Sequence, residues 1–178
     1  MGWGKSFRSK SLNYAVRSYE ILSKWKVTVV NFQTEAQQDC YQKVADWLPE
    51  ICDRISKPVS DSPIFSLQFG SATVLVEVRA FRELESVIYI WSYVATDVEV
   101  SSDLLLYLLK QNDEFRFGGF SMEDEGDIRF HVTLLGASCQ QNEFKFALTE
   151  VLESADRYDD LIVQRWGGRR AADALFDI

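Results

Sequence analysis

The 178-residue sequence predicts an α+β domain, in which an antiparallel sheet of about five strands carries helices packed on it. Segments 64–69, 72–81 and 86–95 have the alternating or β-branched pattern of strands. A leucine-rich helical segment, two more strand segments and a long helical segment follow them. The predicted order is therefore helix, three strands, helix, two strands and helix, with a helical extension at the N-terminus.

The N-terminal extension differs in charge from the rest of the chain. Residues 1–33 hold six basic residues and one acidic residue, a net charge of +5, whereas the remainder holds 13 and 26, a net charge of −13. Apolar side chains recur there at three- and four-residue steps, which predicts one helical stripe: Leu12, Ala15, Val16, Tyr19, Leu22 and Trp25. We expect this basic arm to dock on its own domain or on a partner subunit, with an anionic membrane surface as the alternative.

The central domain is predicted over residues 34–166, and a C-terminal tail over 167–178. Its first helix should begin after Thr34, whose hydroxyl can accept a hydrogen bond from an amide of the first turn. An apolar stripe extends to Ile55, but Pro49 interrupts it. Because proline removes a backbone hydrogen bond and crowds the preceding turn, we expect a kink or two abutting helices, and then a linker over 57–63.

The third strand is apolar on both of its faces. One face carries Val87, Tyr89, Trp91 and Tyr93, and the other carries Ile88, Ile90 and Val94. Helices can cover one face, so the second cover must come from the N-terminal region, a second subunit or a ligand. The candidate apolar sheet face therefore consists of Tyr89, Trp91, Tyr93, Ile88 and Ile90.

The leucine-rich helix is predicted to start after a cap at Ser101 or Ser102 and to end near Asn112. At 100° per residue, four leucines are expected to share its core-facing side: Leu104, Leu105, Leu108 and Leu109. Leu106 and Tyr107 point away from that side. They are candidates for a dimer or partner surface, with simple lateral packing as the alternative.

A hairpin and a long helix complete the domain. An aromatic segment with two adjacent glycines, which indicate a bulge or a close backbone approach, opens the fourth strand: Phe115, Phe117, Gly118, Gly119 and Phe120. Residues 122–127 form the predicted turn, with positive φ at Gly126, before a strand over 128–135. The final helix should be capped by Asn142 and stopped at Gly167.

No catalytic or metal-binding constellation appears in the sequence. His131 is the only histidine, and no motif places a serine or cysteine nucleophile beside it. Cys40, Cys52 and Cys139 lack CxxC spacing, which favours structural thiols of a reduced, cytoplasmic protein. The acidic turn over 122–127 lacks the spacing of an EF-hand loop. We therefore predict no enzyme, no cofactor and no metal site.

The composition also limits the class of partner. The acidic body repels phosphates, which disfavours nucleic acid as a partner. The longest apolar runs are far shorter than the roughly 18 residues of a membrane span, and no apolar segment of a secretory signal follows the basic start. We expect a soluble protein with a protein or peptide partner.

Residues 98–136, VEVSSDLLLYLLKQNDEFRFGGFSMEDEGDIRFHVTLLG, resemble the type III secretion chaperone-like fold, and the YbjN-type branch of that group most closely. The shared pattern is a strand ending at Val98 and Val100, a leucine-rich helix ending at Asn112, a glycine-turn hairpin and a long amphipathic helix. It covers residues 35–166. The resemblance implies a non-enzymatic domain that holds extended peptide segments and dimerises through the central helix, at positions 104–109.

Two functional hypotheses follow. The first is a non-enzymatic, chaperone-like or regulatory module that binds a protein or peptide and acts as a homodimer. The second is a small-molecule-binding domain or enzyme with a pocket between sheet and helices, lined by Tyr89, Trp91 and Tyr93.

Overall fold

The structure, a computed structural model, describes residues 30–52, 55–56, 61–69, 72–123 and 126–174. The helix predicted over residues 12–25 and most of the 57–63 linker lie outside these residues. In chain order the elements are α1 (Glu35–Ile51), β1 (Ile55–Ser56), β2 (Ile64–Phe69), β3 (Ala72–Phe81), β4 (Glu85–Thr96), α2 (Ser102–Glu114), β5 (Gly119–Met122), β6 (Ile128–Leu135), α3 (Gln141–Trp166), β7 (Arg169–Arg170) and α4 (Ala171–Ala174).

The strands form one antiparallel sheet, which confirms the predicted fold class. Its order is β1-β2-β3-β4-β6-β5, and the short β7 pairs with the end of β4. In the register of the central strands, Tyr89 lies between Glu77 of β3 and Thr133 of β6. The side chains of β4 are therefore at the middle of the sheet.

The helices pack on one face of this sheet. Helices α1, α3 and α4 contact β3 and β4, and α2 contacts β5 at the side of α3. Alternate residues of the strands, such as Val76, Ile88, Ile90 and Phe130, are fully buried beneath the helices. No helix of the described residues lies on the opposite face.

Helix α1 begins as predicted, because the Gln37 amide donates to the Thr34 hydroxyl over 3.1 Å. The predicted continuation of its stripe to Ile55 is wrong. Pro49 lies near the end of a single helix that finishes at Ile51, and Ile55 belongs to β1. Pro49 has no amide to donate to the Ala45 carbonyl, so the helix loses one hydrogen bond in its last turn and ends two residues later.

Two other boundaries differ from the predictions. Phe115 and Phe117 precede β5, which begins only at Gly119 because Gly118 adopts a φ of +76°. Helix α3 begins at Gln141, after an N-cap at Gln140 whose amide donates to the Glu143 carboxylate over 2.8 Å. The cap predicted at Asn142 is therefore wrong by two positions.

Candidate functional site

The predicted apolar sheet face is divided between two sides of β4. Ile88 and Ile90 are fully buried in the core beneath the helices. Tyr89, Trp91 and Tyr93 alternate with them, are half-buried, and lie on the opposite side. We call this second side, with its neighbours on β2, β3, β5 and β6, the open face.

Aromatic rings and guanidinium groups occupy the centre of the open face. The Trp91 and Tyr93 rings meet edge to face with centroids 5.2 Å apart. The guanidinium of Arg79 lies 4.1 Å from the Tyr89 ring, and that of Arg129 lies 5.0 Å from the Trp91 ring. Such stacking attracts a cation to the negative face of an aromatic ring, so the arginines hold the rings in place.

Several polar atoms of the open face are buried without a hydrogen-bond partner. They are Trp91 Nε1, Ser121 Oγ, Arg129 Nε and His131 Nδ1. Burial lowers the pKa of His131, and the charges of Arg129 and Arg79 lower it further. The imidazole is therefore neutral near pH 7. Because buried polar groups in folded proteins are almost always paired, these atoms make the open face a candidate contact surface.

A second apolar surface lies on α2. Three leucines have large exposed fractions, and we call them the leucine patch: Leu105 (47%), Leu106 (51%) and Leu109 (67%). Only Leu104 and Leu108 of this helix are buried. The prediction that Leu105 and Leu109 face the core is wrong, because each lies about 100° around the helix from a buried leucine.

Tyr107 does not point away from the domain as expected. Its ring packs on Trp166 at the end of α3, with centroids 4.8 Å apart. The guanidinium of Arg165 lies 5.5 Å from the same ring. Tyr107 therefore stabilises the contact between α2 and α3, and Leu106 alone of the predicted pair belongs to the leucine patch.

A third surface, missed by the sequence-based predictions, is a groove of about 650 Å³ between β6 and the start of α3. Its rim includes three side chains that are each about half exposed, Phe117, Leu135 and Phe146. The Phe117 and Phe146 rings meet edge to face at 5.3 Å. We call this surface the corner groove.

The corner groove runs along a part of β6 that pairs with β4 on one side and with no described strand on the other. Strand β5 pairs with β6 only from Ile128 to His131, because the chain before it turns away at Gly118. The Gly136 amide donates to the Ser86 carbonyl of β4 over 2.7 Å. Since residues of an antiparallel strand bond alternately to either side, Thr133 directs its amide and carbonyl toward the vacant edge.

One signal in the sequence could have indicated the corner groove. Phe146 is apolar but lies off the buried stripe of α3, which contains Phe144, Ala147, Leu148 and Val151. The paired glycines at 118 and 119 were interpreted as a bulge or a close backbone approach. A Cβ at Gly118 would lie 2.5 Å from the His131 carbonyl oxygen, so the close approach is present.

The structure offers little room for a small molecule at the predicted aromatic residues. The cleft that Trp91 and Tyr93 border has a volume of about 120 Å³ and does not include Tyr89; its other walls are β3, α3 and α4, so it lies on the helix side of the sheet and not on the open face. Ligand pockets usually enclose about 300–1,000 Å³. Among the described residues, no three histidine, cysteine or acidic side chains are grouped to hold a metal ion.

The cysteines and helices add further limits. Cys40, Cys52 and Cys139 are all buried. Burial raises the pKa of Cys40, and it raises that of Cys139 to about 11, so both are protonated thiols near neutral pH. None of the helices in the described ranges has the length and apolar character required to cross a bilayer.

A family model described as "T3SS (YopN, CesT) and YbjN peptide-binding chaperone 1" matches residues 38–174, well over half of the chain. The chain belongs to this T3SS and YbjN chaperone family. The matched region extends from within α1 through α4, and so includes the open face, the leucine patch and the corner groove. It also extends past residue 166, where the central domain was predicted to end.

A solved structure supports the same fold. This chain resembles a chain in a crystal structure of the ExsC–ExsE complex. The TM-score is 0.55 and the sequence identity is 21%. The similarity covers 68% of this chain and 95% of the other. No curated protein matches the chain.

Proposed function

We propose that this chain is a non-enzymatic, chaperone-like protein that binds an extended segment of a partner protein and acts as a homodimer. The observation that carries the proposal is the corner groove, where an apolar channel runs beside the vacant edge of β6 at Thr133. Membership of a peptide-binding chaperone family supports it. The buried, protonated thiols of Cys40 and Cys139 agree with a cytoplasmic location.

An extended segment matches both components of this site. Its backbone can pair with the vacant edge of β6, as in proteins that bind peptides by adding a strand to a sheet. Alternate side chains of such a strand point to the same side, so one set enters the groove beside Phe117 and Phe146. Main-chain bonds then supply affinity, while the groove selects apolar side chains.

Peptide binding can be tested with a displayed library of random 12-residue peptides selected on the full-length protein. We expect the recovered peptides to have apolar residues at alternate positions and to bind more weakly to Phe146→Glu and to Thr133→Pro. Proline at position 133 removes only an amide that faces the vacant edge. Circular dichroism checks that both variants fold.

Leu161→Glu is the matched control, because Leu161 is as exposed as Phe146, at 49%, and lies outside the groove. It should leave peptide affinity unchanged. Peptides that bind equally well to wild type, Phe146→Glu and Thr133→Pro would contradict the proposed site.

For the homodimer we propose the leucine patch, which includes Leu106, with Tyr107 packing the helix against Trp166. Three exposed leucines on adjacent turns form an apolar surface of the kind that marks protein contacts. Light scattering should show a dimer for wild type and for Leu161→Glu, and a monomer for Leu106→Glu. A wild-type monomer at micromolar concentration would contradict the dimer while leaving the peptide site untouched.

A further inference from the structure

We propose that the N-terminal residues 12–25 cover the open face of their own chain, with the apolar stripe of that segment packed on Tyr89, Trp91 and Tyr93. This intramolecular contact centres on β4, whereas the proposed peptide site lies at the β6 edge of the sheet, and the two surfaces meet at Thr133. Four observations support it: the entry point of the chain, the dimensions of the face, its unpaired polar atoms and the charge of the segment.

The described chain enters beside the open face. The Asn31 amide donates to the Asp61 carbonyl over 2.9 Å, and its side chain donates to the Asp61 carboxylate over 3.1 Å. Asn31 lines a surface groove together with Ile64 and Glu77. Glu77 pairs with Tyr89 in the sheet register, and Ile64 pairs with Glu77. The preceding residues are therefore tethered at the border of the surface they are proposed to cover.

The dimensions of segment and surface agree. Five strands from β2 to β5 have outer axes about 19 Å apart, at the usual spacing of about 4.8 Å. A helix from Leu12 to Trp25 is about 20 Å long at 1.5 Å per residue. Five residues then remain between Trp25 and Asn31, enough to connect the end of the helix to the border of the sheet.

The chemistry of the two surfaces is also complementary. The apolar stripe can cover the aromatic rings, and the polar residues Asn13, Ser18 and Ser23 beside the stripe offer donors and acceptors to groups such as Trp91 Nε1 and His131 Nδ1. The net charge of +5 on residues 1–33 is opposite to that of the acidic body. Electrostatic attraction therefore favours docking of the segment on its own domain over release into solvent.

Chemical cross-linking in the full chain tests the proposal. Thr133 is exposed on the open face and Thr149 is exposed on α3, so cysteine at either site should be tolerated. With Ala15→Cys in the segment, a short bis-maleimide should produce a cross-linked monomer with Thr133→Cys and little with Thr149→Cys. The Ala15→Cys single variant accounts for any reaction with the native cysteines. Equal yields for both pairs, or products joining two chains only, would overturn the proposal.

A second measurement uses the labelling rate of Thr133→Cys by a bulky maleimide. Introducing Val16→Asp with Tyr19→Asp should raise this rate about tenfold, a factor that corresponds to 1.4 kcal/mol of docking free energy. The rate at Thr149→Cys should not change. An unchanged rate at Thr133→Cys would show that the segment does not cover the open face.

Discussion

The two faces of the sheet consist of alternate residues of the same strands, yet their chemistry differs. Beneath the helices, Ile88 and Ile90 are aliphatic, fully buried and free of polar atoms. On the open face, Tyr89 and Trp91 are half-buried beside arginines, and several polar atoms lack partners. The first face has the composition of a completed core, whereas the second has the aromatic and arginine content that characterises protein interfaces. Residues one position apart on each strand therefore belong to surfaces of different composition.

The largest expected difference between the faces concerns stability. Ile90→Ala should lower the free energy of unfolding by about 2–5 kcal/mol, because it leaves a cavity in a fully packed core. Leu75→Ala on the open face should cost about 1 kcal/mol, since Leu75 is only partly buried. Urea unfolding measures both values. Equal losses would show that the open face is packed as tightly as the core.

Alanine substitutions at two glycines with positive φ test how rigidly the chain before β5 is held against the edge of the sheet. Gly118 and Gly167 both have a φ of +76°, but only at Gly118 would a Cβ meet other atoms. Gly167 also has a ψ of −162°, a region almost exclusive to glycine, so Gly167→Ala should cost about 1–3 kcal/mol from backbone strain alone. Gly118→Ala should cost more, because its Cβ would collide with the His131 carbonyl. If thermal unfolding gave equal costs, the chain before β5 would be free to move.

A smaller difference is expected between two stacked arginines. Arg129 is 20% exposed and stacks on Trp91 of the open face, and it also pairs with Glu123 over 2.8 Å. Arg165 is 56% exposed and stacks on Trp166 on the helix side. Arg129→Gln should lower the unfolding free energy by about 0.5–1 kcal/mol, and Arg165→Gln by less, because solvent weakens exposed interactions. A larger loss of unfolding free energy for Arg165→Gln than for Arg129→Gln in urea would contradict ordered packing of the side chains on the open face.

The smallest effect concerns pH. His131 has its pKa lowered in the folded protein, so the unfolded chain binds a proton first as the pH falls below the ordinary value of 6.5. Stability contributed by the neutral imidazole is therefore complete above that pH and is lost below it. The wild type should lose stability more steeply than His131→Gln between about pH 6.5 and 5. Identical slopes would indicate a solvated imidazole.

The positions of several strands could be predicted from the local alternation of residues in the sequence. Segments 64–69, 72–81 and 128–135 alternate between turn residues, and the structure has strands with the same bounds. The side of a helix that faces the core was harder to predict. Leu105 lies in the apolar segment from which α2 was correctly predicted. Which side chains of that helix are buried depends on where α3 and Trp166 lie. Periodicity identifies a stripe without specifying which neighbouring element will bury it.

The corner groove could not be predicted for a different reason. Phe117 lies in the loop before β5 and Phe146 lies on α3, and they meet only because β6 brings the two segments together. The vacancy at Thr133 depends on where β5 stops, which is a property of strand pairing. By contrast, the exposed aromatic side of β4 was visible in the sequence, since one strand carries all three rings.

The turn at Gly118 has a consequence for how selective a partner site at this edge would be. Along about four residues of β6, from Val132 to Leu135, no described strand pairs on the side away from β4. At about 3.3 Å per residue this opening is roughly 13 Å long, and only every second side chain of an added strand faces the groove. Two side chains would then decide which segments fit. Many unrelated sequences can supply two suitable side chains. The glycine that shortens β5 therefore makes the proposed site permissive. Discrimination among partners must then come from contacts elsewhere.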